Sequence, residues 1–159
     1  MTLTIRPAAE SDLPSLLALY GELNPDDEPL TGATAEDIWA AVRHQQGRTV
    51  LVAALDDTLA GTADCTVLPN LTRSARSIMF VENVVVAQAH RRRGIGRLLM
   101  DAAGQLAESA NCYKIQLLAA DGPEAHTFYR DCGYQPLAQG FRRYLVGRGM
   151  PQTREADGA

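Results

Sequence analysis

Short runs of alternating apolar and polar residues open the chain, and helical stripes separate the later ones. Residues 2–6 alternate, with Leu3 and Ile5 on one side, and predict a strand. Leu13, Leu16, Leu17 and Tyr20 have helical spacing; Ser11 is the expected cap, and Pro14 is tolerated in a first turn. Residues 24–32 hold two prolines, a glycine and the acidic run Asp26-Asp27-Glu28, and predict a loop. A second helix follows, with Thr34 as cap and Ile38, Ala41 and Val42 turned inward.

Residues 49–55 and 58–67 predict a hairpin closed by Asp56-Asp57. After a turn at 69–74, residues 78–86 are almost continuously apolar, as in a central strand buried on both faces. Residues 94–110 predict a helix with the stripe Ile95, Leu98, Leu99, Ala102 and Leu106, and 113–119 a strand. Gly122 and Pro123 open a last helix and Gly133 ends it, with Ala125, Phe128 and Cys132 on its stripe. Two short strands are expected at 134–137 and 141–146. The order β-α-α-β-β-β-α-β-α-β-β predicts an α/β (α+β) fold: one mixed sheet with helices on its faces. Residues 1–146 form a single expected domain, and the polar residues 147–159 an expected disordered tail.

Composition narrows the function. The 159 residues are 46% apolar and 21% charged, within the range of one globular domain. No apolar run approaches the ~20 residues that span a bilayer, and residues 1–6 lack the basic start and apolar block of a secretory signal, so a cytoplasmic location is expected. Cys65, Cys112 and Cys132 have no C-x-x-C spacing, and His44, His90 and His126 form no metal motif, so neither disulfides nor a metal is expected. The net charge of −4 argues against nucleic acid as the partner, and the basic run His90 to Arg93 has no matching aromatic surface.

The informative stretch runs from Val84-Val85-Val86 through His90-Arg91-Arg92-Arg93 to Gly94-Ile95-Gly96. A buried strand ends, a basic loop follows, and two glycines open a helix. Free amides at a helix start, helped by its dipole, bind anions. Glycine lets a phosphate approach the backbone, and arginines add charge-assisted bonds. The alternative is a solvated basic turn. A Walker loop is excluded because Arg97, not Lys, follows Gly96, and a dinucleotide fingerprint because position 99 is Leu99.

Arg91-x-x-Gly94-x-Gly96 after three valines resembles the acetyl-CoA signature of the GNAT superfamily. A second signature, Ala125-x-x-Phe128-Tyr129-x-x-x-Gly133-Tyr134, resembles that family's Ala-x-x-Phe-Tyr-x-x-x-Gly-Phe. Ile5-Arg6-Pro7-Ala8 and Asp12-Leu13 are similar to GNAT N-termini, so the likeness runs from about Thr2 to Val146. Within the superfamily, Glu82-Asn83-Val84-Val85-Val86 and Cys112-Tyr113-Lys114-Ile115 resemble the glucosamine-6-phosphate N-acetyltransferases, which carry Glu-Asp at Glu82-Asn83; the likeness does not set a substrate. Gly122 departs from the family, where Asn is frequent at that position.

The resemblance implies an N-acetyltransferase that moves acetyl from acetyl-CoA to a primary amine by direct attack in a ternary complex. It implies cofactor contacts from Val84, Val85 and Val86 along the pantetheine arm, and from Arg91, Arg92, Arg93, Gly94, Ile95, Gly96 and Arg97 around the pyrophosphate. Tyr129 matches the tyrosine beside the sulfur; a phenol stays protonated at neutral pH and can donate to a leaving thiolate. The alternative is packing beside Phe128.

Glu82 is the candidate base, because a carboxylate among Val81, Val84, Val85 and Val86 needs a reason to be there. Burial among them would suit it to proton transfer. The alternative is a carboxylate that holds the strand. His126 and the cysteines read as surface or packing residues. Asp26-Asp27-Glu28 could attract a cationic acceptor, and Arg142 and Arg143 an anionic one. The acceptor is a small-molecule or protein amine, and a homodimer is left open. An inactive acyl-CoA-binding sensor is the competing reading.

Overall fold

The sheet grows outward from a hairpin. β2 (Arg48–Leu55) and β3 (Thr58–Leu68) are antiparallel, with Leu55 opposite Thr58 across a tight turn. Asp56 takes φ 50° there, a conformation that Asp tolerates better than most residues. β1 (Leu3–Pro7) pairs antiparallel with β2, and β4 (Ser77–Val86) pairs antiparallel with β3. β5 (Cys112–Gln116) adds to β4 in parallel, giving one mixed sheet in the order β1-β2-β3-β4-β5. The computed structural model describes residues 2–145.

Strand alternation sends two sets of side chains to opposite faces. Leu51, Ala53, Ala63, Cys65, Met79 and Val81 meet α3 (Ile95–Ser109). Val50, Val52, Ala54, Leu59 and Val85 meet α1 (Leu13–Leu23) and α2 (Gly32–His44). Strands buried on both faces explain the near-continuous apolar runs of the central sequence. A final helix, α4 (Pro123–Asp131), follows β5.

Several expectations shift. Ser11 is not a helix cap: it lies in a single 3₁₀ turn, Glu10–Asp12, and Asp12 precedes α1. The Asp12 carboxylate accepts from the Ala9 amide at 2.7 Å and from Arg6 at 2.6 and 3.0 Å. α2 starts at Gly32, not after Thr34, and buries Ala35 and Trp39. Ile38, expected inside, is 53% exposed, and Ala41 is exposed too. The Trp39 indole donates to the Glu10 carbonyl at 3.3 Å, which fixes the face that α2 presents. α3 turns by one residue from its expected stripe: Leu99, Met100, Ala103 and Ala107 are buried, while Leu98 is 44% exposed. Small alanines on the inner face let this helix lie close to the sheet.

The two last strands are corrected. Residues 134–145 form no strand, β5 ends at Gln116, and Val146 and the expected tail lie outside the described residues. Pro136 has no N–H to give a ladder. Gly140 is pressed onto Leu118, where a Cβ would lie 2.5 Å from its Cδ2, so the segment crosses Leu118 instead of running along β5. Among the described residues the order is therefore β-α-α-β-β-β-α-β-α.

Candidate active site

β4 outruns its neighbour. Its pairing with β5 extends from Ser77 opposite Cys112 to Phe80 opposite Gln116, and β4 then continues to Val86. On its other side the register with β3 slips: Asp64 faces Glu82, but Thr62 faces Val85. The extra residue is Asn83, at φ 50°, and such a bulge bends its strand. Residues 81–86 thus keep β3 as their only sheet partner and leave backbone groups facing an opening. Glu82 and Asn83 are exposed there, so the burial expected of Glu82 is not found.

At the end of β4 the chain makes a 3₁₀ turn, Gln88–His90, whose first amide donates to the Glu22 carboxylate of α1 at 2.7 Å. Arg91 folds back and donates through Nε to the Val86 carbonyl at 3.1 Å, so that carbonyl is already engaged. Arg92 and Gly94 take φ 63° and 78°, and α3 starts at Ile95 without any side-chain cap. Uncapped helix amides need a partner. Arg91, Arg92, Arg93 and Arg97 are all exposed around this start.

The two glycines of the loop do different work. A Cβ on Gly94 would meet nothing within 4 Å; the space is open, and only its left-handed backbone asks for glycine. A Cβ on Gly96 would sit 3.0 Å from both Cε2 and Cζ of Phe128 and 3.6 Å from Cγ2 of Val86. The absence of a Cβ on Gly96 thus leaves room for Phe128 of α4, and the two sequence signatures touch at this point. A groove of about 390 Å³, lined by Arg92 and by Pro123, Glu124, Thr127, Phe128 and Asp131, lies between the loop and α4. An open, basic, uncapped helix start has the character of a phosphate site.

Gly122, at φ 132°, starts α4, and Gly133, at φ 88°, follows its end, as expected for both. Tyr129 sits between Phe128 (ring centroids 4.9 Å apart) and Tyr134 (6.0 Å apart), both edge-on. Burial, then Cys132 and Glu82, push the Tyr129 phenol above its ordinary value. Tyr134 is pushed to about 12, chiefly by burial. Tyr129 and Glu82 are thus within electrostatic reach of each other beside the opening.

The structure brings together Glu82, Val84, Val85, Val86, the Arg91–Arg97 segment and Tyr129. It does not bring His126, which is exposed, nor does it give the side chains of Asp26, Asp27, Glu28, Arg142 or Arg143 a hydrogen-bond or ion-pair partner among the described residues. Sequence reasoning missed Glu22 and the pairing of Arg48 with the buried Asp64. A signal existed for Asp64: it is the only charged residue in the apolar run from Leu59 to Val67.

A sheet split beside a bulged central strand, feeding an uncapped basic helix start, defines an acyltransferase that uses acetyl-CoA as co-substrate. Residues 13–134 match the Acetyltransferase (GNAT) family, and the chain belongs to that family. It is 31% identical over 135 residues to the glucosamine 6-phosphate N-acetyltransferase of Trypanosoma brucei brucei, covering 84% of this chain and 89% of that protein. Among solved structures it is similar to a protein of Agrobacterium tumefaciens strain C58 (TM-score 0.86, 42% identity, 89% of this chain and 99% of that one). It is also similar to a Trypanosoma brucei acetyltransferase (TM-score 0.80, 27% identity, 91% and 100% covered). No helix among the described residues is long and apolar enough to cross a membrane.

Proposed function

We propose that the protein transfers acetyl from acetyl-CoA to a primary amine by direct attack, with both substrates bound at once. The observation that supports this reading is the end of the β4–β5 pairing at Phe80, beyond which residues 81–86 have no strand on that side, with Glu82 close enough to act on the Tyr129 phenol. Acetyl-CoA supplies an activated acyl group as a thioester; the residues of this chain hold it and move protons. The amides at the start of α3, with Arg91, Arg92, Arg93 and Arg97, hold the pyrophosphate. Backbone groups from Val84 to Val86 line the pantetheine arm. An amide aimed at the thioester oxygen stabilises the charge that develops there by ~3 kcal/mol. Glu82 takes the proton of the acceptor ammonium, directly or through a water. Tyr129 gives its proton to the departing sulfur, and its raised phenol value keeps that proton in place at neutral pH.

The name of the trypanosomal relative makes glucosamine 6-phosphate the first amine to try as acceptor. The test is CoA release from acetyl-CoA against a panel holding that amino sugar phosphate, aminoglycosides, polyamines and peptide amines. One amine should raise release well above the water background. A flat panel together with tight acetyl-CoA binding in calorimetry would favour an acyl-CoA-binding module instead.

A further inference from the structure

Asp64 stands in β3 between Ala63 and Cys65 and is 4% exposed. A buried carboxylate is costly unless it is paired. Arg48 of β2 meets it with a fork: Nε donates to Oδ1 at 2.9 Å and Nη2 to Oδ2 at 2.5 Å. Gln45 accepts from Nη1 at 3.0 Å, so the guanidinium is held from its other side. The fold does not call for this pair. An apolar pair of the same volume in a buried place is often neutral or stabilising.

The ladder shows what the pair faces. Asp64 is directly opposite Glu82, and alternation puts both on the face that α1 and α2 cover. Opposed side chains in an antiparallel ladder have Cβ atoms about 4.5–5.5 Å apart, and like charges in that relation repel. Glu82 is the only ionisable residue of β4. The charged and titratable groups in its surroundings are Asp64 of β3, Arg48 behind it on β2, Tyr20 of α1, which feels both Asp64 and Arg48, and Tyr129 of α4, which feels Glu82.

We propose that Arg48 and Asp64 are a positioning pair for Glu82: Arg48 cancels the charge of the carboxylate that stands directly opposite Glu82 in the β3–β4 ladder. The role in catalysis rests on the reading of Glu82 as proton acceptor; the electrostatic coupling does not. Removing Arg48 leaves a buried negative charge opposite Glu82 and hinders its ionisation. Removing the charge of Asp64 leaves an unopposed guanidinium and favours that ionisation.

The test is a carbon NMR titration of protein labelled at the glutamate carboxyl, with the Glu82 signal identified by its loss in Glu82→Gln. The midpoint of Glu82 should rise in Arg48→Met and fall in Asp64→Asn, each by about 0.5–1 pH unit, and return to the parent value in the double variant. Should Arg48→Met fail to fold, Asp64→Asn and the double variant carry the comparison. A pair that only straps β2 to β3 lowers Tm in the single variants and leaves the midpoint unmoved; that result overturns the proposal. The acidic limb of kcat/KM, measured on the same proteins, separates the two readings. A limb that follows the midpoint supports both. A midpoint that moves under a fixed limb keeps the coupling and removes Glu82 as proton acceptor.

Discussion

Replacing Gly96 with alanine tests whether that glycine serves the cofactor or the helix opposite. The new methyl would lie 3.0 Å from two ring carbons of Phe128. Carbon atoms are comfortable at about 3.5–4.0 Å, so the ring has to retreat by about half an ångström. It has Tyr129 edge-on behind it at 4.9 Å. Overpacking of this kind costs about 1–3 kcal/mol, and the gain from alanine over glycine in a helix returns up to about 1 kcal/mol. The net expectation is a loss of about 1 kcal/mol and a Tm lower by about 2–4 °C.

Catalysis should suffer more than stability, because the displaced ring pushes on Tyr129. A misplacement of 1 Å can cost about 10²-fold, so half of that gives about tenfold in kcat. The KM for acetyl-CoA should stay within about threefold. Phe128→Leu removes the two crowded carbons and should restore much of the Gly96→Ala loss in a double-mutant cycle, with a coupling of about 0.5–3 kcal/mol. Steady-state kinetics and calorimetry on the four proteins decide the matter. Acetyl-CoA binding weakened well beyond tenfold in Gly96→Ala, with no recovery in the double variant, would refute the packing argument and return Gly96 to the pyrophosphate.

Two further outcomes are expected. Tyr129→Phe should lower kcat by about 10²–10⁴-fold with acetyl-CoA affinity in calorimetry unchanged, since the ring and its contacts remain; equal turnover would leave Tyr129 a packing residue. The Arg6 hydrogen bond, helped by the Ala9 amide, holds the Asp12 carboxyl below the usual carboxylate range. A value depressed in the folded state stabilises the fold above the unfolded value of about 3.9, and that stability is lost as pH falls through the folded value. Arg6 is 40% exposed, which limits the contribution to about 1–2 kcal/mol. Asp12→Asn should therefore melt a few degrees below the parent at pH 7 and together with it near pH 2; a gap that persists in acid would show that the carboxylate charge is not the cause.

Most of the architecture is legible from local chemistry because local chemistry decides it. The hairpin at Asp56-Asp57, the glycines around α4 and the long strand before the basic loop all follow from backbone preferences and apolar runs. What escapes is set by partners distant in sequence. Ile38 and Trp39 could each lead an inward stripe; the Glu10 carbonyl, which takes the Trp39 indole, selects one of them. Leu98 and Leu99 pose the same choice on α3, and the alanines that allow close approach settle it. Residues 134–145 carry strand-like alternation, yet alternation supplies a face, not a partner, and Gly140 lies on Leu118 away from any ladder.

The site divides along the same line. Arg91 to Gly96 and Ala125 to Tyr134 are contiguous in sequence, so their elements and order can be read directly. That Gly96 meets Phe128 cannot, because it depends on where α4 docks. Glu82 shows the cost of reading a strand alone: its valine neighbours imply burial, but it lies past the end of the β5 pairing, just before the bulge at Asn83, and is exposed. The register that precedes the bulge places Asp64, itself hidden in an apolar run, directly across from it. Two carboxylates so far apart in sequence meet only through the β3–β4 pairing, and the guanidinium that forks onto Asp64 comes from a third strand, at Arg48.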